Sequence, residues 1–349
     1  MRRHHHAAQP RRRGAVAAGV APDGAGAGRR VDGLSARDPA FAAGLRALVR
    51  GTVREQEPLG RYSTYRIGGP ATILLPEGPE DVAAALRHAA AHGVPWFVIG
   101  LGSNILLPDE GLDALVIRMG KGLDQVVSAG EVWRLGAGLP GPIAARKSAA
   151  AGFAGLHRFV GVPGTVGGGV YMNAGCHGGE WSELVESVLV LEADGAERVL
   201  ARREIPFEYR WSGLDGLVVL EATVRLAPAD PELIQAEVAE LFHWREAGTP
   251  FNQPCCGSVF KNPGGPSWKR GDGPRTAGQL IEAAGLKGFR IGGAEVSPQH
   301  ANYFVNTGGA TAADVRALIA HARDAVAARF GTTLETEVKI LDRWGRYRR

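Results

Sequence analysis

Cysteine is nearly absent from this chain: Cys176, Cys255 and Cys256 are the only three among 349 residues. An odd count with two neighbours in sequence rules against a disulfide framework, and the three form no metal-ligand spacing. Also missing are a G-x-x-x-x-G-K-[ST] loop and a G-x-G-x-x-G turn that opens a helix with an acid about twenty residues on. Neither a P-loop nor a Rossmann dinucleotide site is therefore supported. Long apolar runs are lacking too. The stretch "GAVAAGVA" near the N-terminus is too short for a spanning helix and makes a poor signal-peptide core. A cytoplasmic protein with no membrane contact is expected.

A basic charge is present but unevenly placed. The net charge is +4, yet residues 1–50 hold ten Arg against three Asp, so residues 51–349 carry −3. That balance, with no basic aromatic surface signature, argues against nucleic acid as a partner. The first thirty residues are rich in Ala, Gly and Arg, contain no aromatic residue, and lack usable periodicity. A disordered basic tail over residues 1–50 is expected. The adjacent His4, His5 and His6 in it are read as doing nothing specific, and no metal site is expected.

After Pro58 the pattern is α/β. "ATILLP" reads as a strand, "PEDVAAALRHAAAHG" as a helix with Pro79 near its start and Gly93 as its stop, and "PWFVIG" as the next strand. Strands near 114–118 and 132–135 and a helix through 143–151 continue the alternation. From 184 to 226 strands follow one another through tight turns, with a hairpin across Asp194-Gly195. Helical spacing returns at 231–245, 277–284 and 311–330, and "LETEVKIL" closes the chain as a strand. This predicts an α+β protein with one domain over 55–228 and a C-terminal α+β domain over 229–345. No internal repeat is visible.

The run from Gly161 to Gly179, "GVPGTVGGGVYMNAGCHGG", places eight glycines in nineteen residues. Val162, Val166, Val170, Tyr171 and Met172 are interleaved with them and would be costly to leave in water, so the segment is ordered rather than loose. Two readings stand side by side. Glycine removes side chains where backbone must approach a phosphate-bearing ligand, and it does the same where strands simply pack tightly. "GLGSN" at 100–104, which ends a strand, invites the same pair of readings.

"YSTYRIGGPA" at 62–71, "IGLGSNILL" at 99–107, "GVPGTVGGGVYMNAG" at 161–175, "YRWS" at 209–212, "GSVFKNP" at 257–263 and "LETEVKIL" at 334–341 occur in this order. Together they closely resemble the UDP-N-acetylenolpyruvoylglucosamine reductase family over about residues 55–342. The resemblance implies an FAD-binding domain of the vanillyl-alcohol-oxidase type in two α/β subdomains, followed by a substrate-binding domain. It also implies NADPH-dependent reduction of enolpyruvyl-UDP-N-acetylglucosamine to UDP-N-acetylmuramate for peptidoglycan. The partners are then a UDP-sugar and NADPH, with non-covalent FAD and a monomer as the expected state.

The same resemblance assigns FAD contacts to Arg66, Gly68, Gly69, Gly100, Gly102, Ser103, Asn104, Gly161, Gly164, Thr165, Gly168, Asn173 and Gly175. Arg210 would stabilise the enolate-like intermediate, Ser258 would protonate it, and Glu337 would assist. Glu335 lies two residues away, and strand alternation puts both acids on one face, so side-chain direction does not choose between them. Lys261, Asn262, Lys287 and His300 are the candidates for the nucleotide-sugar. The pair Cys255-Cys256 departs from the usual pattern and places a thiol two positions before Ser258. Attachment of the flavin through Cys176 or His177 is not expected, since the family does not do it.

Overall fold

The computed structural model describes residues 34–264 and 276–348. Residues 1–33, with the three histidines, lie outside them. Pro79 stands at the first turn of helix α2 (Pro79–Ala91), where its missing N–H costs nothing, and Gly93 follows at φ +63°. That helix carries the chain from strand Pro70–Leu75 to strand Trp96–Ile99. Both strands run parallel to Leu115–Arg118 between them, while Thr52–Pro58 pairs antiparallel at the outer edge. Ile73, Phe97, Ile99 and Val116 are buried on one face; Leu74, Leu115 and Ile117 are buried on the other.

The expectation of a structureless 1–50 is corrected for its last third. Asp38 caps helix α1 (Pro39–Arg46) by accepting from Ala40 N–H, with Pro39 next to it. Phe41, Ala42 and Leu45 are fully buried. The Phe41 ring lies 4.7 Å from that of His88 on α2, whose Nε2 stands 3.0 Å from the Phe41 carbonyl. Composition averaged over fifty residues hid an amphipathic helix of about two turns near its end.

The second sheet is antiparallel throughout, in the order Glu197–Ala201, Val185–Leu191, Val218–Arg225, Val132–Gly136, Val126–Ala129. Its hairpin turns at Gly195, φ +81°. Helix α3 (Gly141–Ala150) lies beside the short helix of the glycine-rich run, α4 (Val166–Tyr171), which Thr165 caps and which packs on strand Val218–Arg225. Helix α5 (Pro231–Gly248) packs against α3 and also meets the C-terminal unit, where Arg245 donates to the Tyr303 hydroxyl and Gln299 donates to the Ala247 carbonyl. Helices α6 (Ala277–Ala283) and α7 (Ala312–Phe330) with a three-stranded sheet, Arg290–Ile291, Ala294–Val296 and Phe304–Asn306, form the C-terminal core.

Several contacts among the described residues tie the two units together. Both Asp109 carboxylate oxygens accept from the first amides of α7, Ala312 and Ala313. Asn306 donates to the Tyr65 carbonyl at 3.0 Å. Strand Lys339–Leu341 returns to pair in parallel with Ile105–Leu106. "LETEVKIL" is therefore a strand only in its last three residues. Its first part crosses between units, bridging to Phe260 through Thr336.

Candidate active site

Strand Trp96–Ile99 releases the chain into Gly100–Asn104 at the carboxyl edge of the parallel strands, the edge at which open α/β sheets receive ligands. Gly102 takes φ +62°, and a Cβ there would stand 2.1 Å from the Tyr62 carbonyl. Thr64 N–H donates to the Gly102 carbonyl at 3.1 Å, so the "YSTYRIGG" loop braces this turn from behind. Ser103 Oγ donates to the Pro163 carbonyl at 2.7 Å, and a Cβ on Gly100 would meet Thr165 Oγ1 at 2.6 Å. The two glycine-rich loops are thereby locked against each other.

Within the long run the glycines divide by what surrounds them. A Cβ would meet Arg245 Cγ at 2.5 Å on Gly161, Ala137 Cβ at 2.8 Å on Gly167, and Trp181 Nε1 at 2.4 Å on Gly169. At these three a neighbouring side chain occupies the space a Cβ would need, although Gly167 and Gly169 also border the cleft. On Gly164 and Gly168 the nearest atoms would be Ser103 Oγ at 3.6 Å and Thr165 Oγ1 at 3.5 Å; on Gly257, across the gap, only the Ser103 carbonyl comes close, at 3.8 Å. Those three line a cleft of about 340 Å³ and present backbone rather than side chain to it. Such bare backbone facing an open cleft fits a diphosphate-bearing cofactor, whose oxygens take N–H groups at close range.

Arg210, Ser258 and Glu337 line the same cleft. The Arg210 backbone is left-handed, φ +59°, and its Nε donates to Glu337 Oε1 at 2.8 Å. Its Nη2 donates to the Gly175 carbonyl at 3.1 Å, and Nη1 lies 3.9 Å from Glu180 Oε1. Burial works against the Arg210 charge, but Glu337, Tyr209 and Glu180 together outweigh it and hold the guanidinium protonated. Burial pushes the Glu337 carboxyl above the usual carboxylate range, against the pull of Arg210, Lys261 and Lys339. The Ser258 hydroxyl makes no hydrogen bond to the protein among the described residues and faces the cleft.

Comparison with known proteins shows the family to which the chain belongs. Residues 70–200 match the family model of an FAD binding domain, and residues 249–341 match that of the UDP-N-acetylenolpyruvoylglucosamine reductase C-terminal domain. The chain is 43% identical to the UDP-N-acetylenolpyruvoylglucosamine reductase of Halalkalibacterium halodurans, over 85% of its own length and 97% of the relative's. The chain belongs to the UDP-N-acetylenolpyruvoylglucosamine reductase family. The Bacillus velezensis reductase is 40% identical over 83% of this chain and 94% of its own. The crystal structure of the Thermus caldophilus reductase superposes with a TM-score of 0.71 at 34% identity, covering 84% of this chain and all of the other.

The reductase motifs do not all reach the cleft. Gly100, Gly102, Ser103, Asn104, Gly164, Thr165, Gly168 and Gly175 line it; Arg66, Gly68, Gly69, Gly161 and Asn173 do not. Gly69 is bare because a Cβ would stand 2.1 Å from the Asp109 carbonyl. Asn173, almost wholly buried, spends its side chain inside the protein: Nδ2 donates to Glu180 Oε2 and the Glu208 carbonyl, and Oδ1 accepts from Ser182 N–H. Structure also separates the two acids. Glu335 turns outward to Lys261 at 2.6 Å with 73% of its side chain exposed, whereas Glu337 turns in with 17%.

None of the four candidates for the nucleotide-sugar lines the cleft. Lys261 pairs with Glu335, Lys287 pairs with Glu282 at 2.7 Å, and Asn262 Oδ1 accepts from Ala277 N–H. His300 Nδ1 accepts from Asn302 N–H, and burial, with Arg245 nearby, lowers the affinity of its ring for a proton. Two cations missed in the sequence do line it. Arg245, in the last turn of α5, donates to the Gly161 carbonyl and Tyr303 hydroxyl, and Lys339 holds its ammonium 5.0 Å over the Tyr347 ring. Neither has a carboxylate within ion-pair distance among the described residues. Lys339 was legible, two residues past Glu337 and so on its face; Arg245 carried no signal. Cys176 lines the cleft as a neutral thiol raised by burial, while His177 packs edge-on against Trp244.

Proposed function

We propose that this chain reduces the enolpyruvyl ether of UDP-N-acetylglucosamine to UDP-N-acetylmuramate, a peptidoglycan precursor, using FAD and NADPH in the cytoplasm. The observation that carries this is the meeting, in one glycine-walled cleft, of a charged guanidinium, a carboxyl raised by burial and a serine hydroxyl with no partner among the described residues. FAD bound against Gly164, Gly168 and Gly257 supplies two-electron hydride chemistry.

Hydride added to the CH2 carbon of the ether leaves negative charge on the neighbouring carbon and its carboxylate. Arg210 is fixed by Glu337 and the Gly175 carbonyl to face that charge, and a preorganised donor of this kind contributes about 3–4 kcal/mol to lowering a barrier. Ser258 Oγ delivers the proton to that carbon by general-acid catalysis. Glu337 keeps Arg210 aimed and, with its affinity for protons raised, shares the proton at the site. Arg245 and Lys339 are the cleft cations available to diphosphate. The test is NADPH consumption by the flavin-loaded protein: it must depend on the enolpyruvyl-UDP-sugar and proceed without oxygen uptake. Oxygen uptake in place of substrate dependence would make the protein an oxidase.

A further inference from the structure

Two of the five non-glycine residues in left-handed backbone among the described residues, Asn173 (φ +42°) and Arg210 (φ +59°), come together around one carboxylate. Backbone held in that region costs about 1–3 kcal/mol for each residue, and it persists where surrounding contacts impose it. The contacts are on hand. Glu180 Oε2 accepts from Asn173 Nδ2 at 3.0 Å, and its Oε1 lies 3.9 Å from Arg210 Nη1. Asn173 Nδ2 also holds the Glu208 carbonyl at 2.9 Å, two residues before Arg210 in the chain.

Gly175 supplies a second, independent observation. A Cβ at this position would fall 2.9 Å from Glu180 Cγ and 3.0 Å from Arg210 Nη1, so the glycine is bare because those two side chains occupy its space. Its carbonyl is the acceptor for Arg210 Nη2. The end of the glycine-rich run, "NAGCHGGE", thus faces Arg210 and not only the cofactor.

We infer that Glu180, with Asn173 and Gly175, is a positioning residue that aims the Arg210 guanidinium at the charge developing on the substrate. The inference rests on the reading of Arg210 given above. Glu337 holds one edge of the guanidinium from the C-terminal unit; Glu180 and the Gly175 carbonyl hold the other from the flavin loop. A planar group gripped from both sides keeps its orientation when substrate enters. Displacements near 1 Å at such a group cost about 100-fold in rate.

Rapid mixing of the flavin-loaded enzyme tests this by following flavin absorbance in two separate steps: bleaching by NADPH, then recovery on adding enolpyruvyl-UDP-sugar. In Glu180→Ala the recovery should slow about 10–100-fold while bleaching and flavin content stay at parental values. Glu180→Gln keeps an acceptor for Asn173 and should regain most of the lost rate. Arg210→Met is measured alongside. Slow recovery in Arg210→Met with parental recovery in Glu180→Ala overturns the role of Glu180 alone. Parental recovery in both overturns the reading of Arg210 as well. Equal loss in both steps of Glu180→Ala, or a Gln variant as slow as Ala, refutes positioning through Asn173.

Discussion

Replacing Ser258 by alanine removes one oxygen atom from the cleft and little from the fold. Among the described residues the hydroxyl has no hydrogen-bond partner, so no buried donor or acceptor there is orphaned by its loss, and stability should change by no more than about 0.5 kcal/mol. Its backbone bridge to Tyr303 is indifferent to the side chain. The chemical cost is of another order. A lost general acid slows a step by about 10²–10⁴-fold, which is about 2.7–5.4 kcal/mol of barrier. Transfer from NADPH to the flavin needs no proton from this serine, whereas protonation of the substrate carbon does. In rapid-mixing experiments the flavin should bleach at the parental rate and recover about 10²–10⁴-fold more slowly, with thermal unfolding unchanged. Recovery at the parental rate would refute the argument and move the proton donor to Glu337 or an ordered water.

Other expectations follow from the same structure. Gly164→Val points a β-branched side chain into the cleft from a backbone at φ +155°, so purified protein should be colourless while remaining folded; flavin retained at parental stoichiometry contradicts the cradle. Phe41→Ala should lower stability by about 3–5 kcal/mol, read as a shifted denaturant midpoint, because Phe41 is fully buried beside His88; removal of residues 1–33 should leave turnover unchanged. Asp314, whose carboxyl the Thr311 N–H draws below its ordinary value with help from Gly293 N–H, contributes stability that is complete above the unfolded carboxylate range. That contribution is lost as pH falls through the folded value, so Asp314→Asn should flatten the acid side of the stability profile measured by denaturant titration.

Much of the framework was legible along the chain because it is written in local rules. Proline at a first helical turn, glycine after a last one and period-two apolar strands depend on near neighbours. They placed α2, the hairpin at Asp194-Gly195 and α7 with little error. The resemblance carried by the ordered motifs implied a shared site for Arg210, Ser258 and Glu337, and all three line one cleft. What local rules cannot hold is distance between segments. Whether a glycine faces a ligand or a neighbouring side chain is decided by what lies across the gap. Gly164 meets open cleft, Gly169 meets Trp181, and nothing within the run tells them apart. Arg245 enters the site only because α5 docks on α3, and Asn173 leaves the flavin for Glu180 only because residues 173–180 fold back on themselves. Glu335 and Glu337 share a face in an ideal strand. The chain crosses between two units there, so one acid ends in solvent and the other beside Arg210, a choice made by tertiary packing alone.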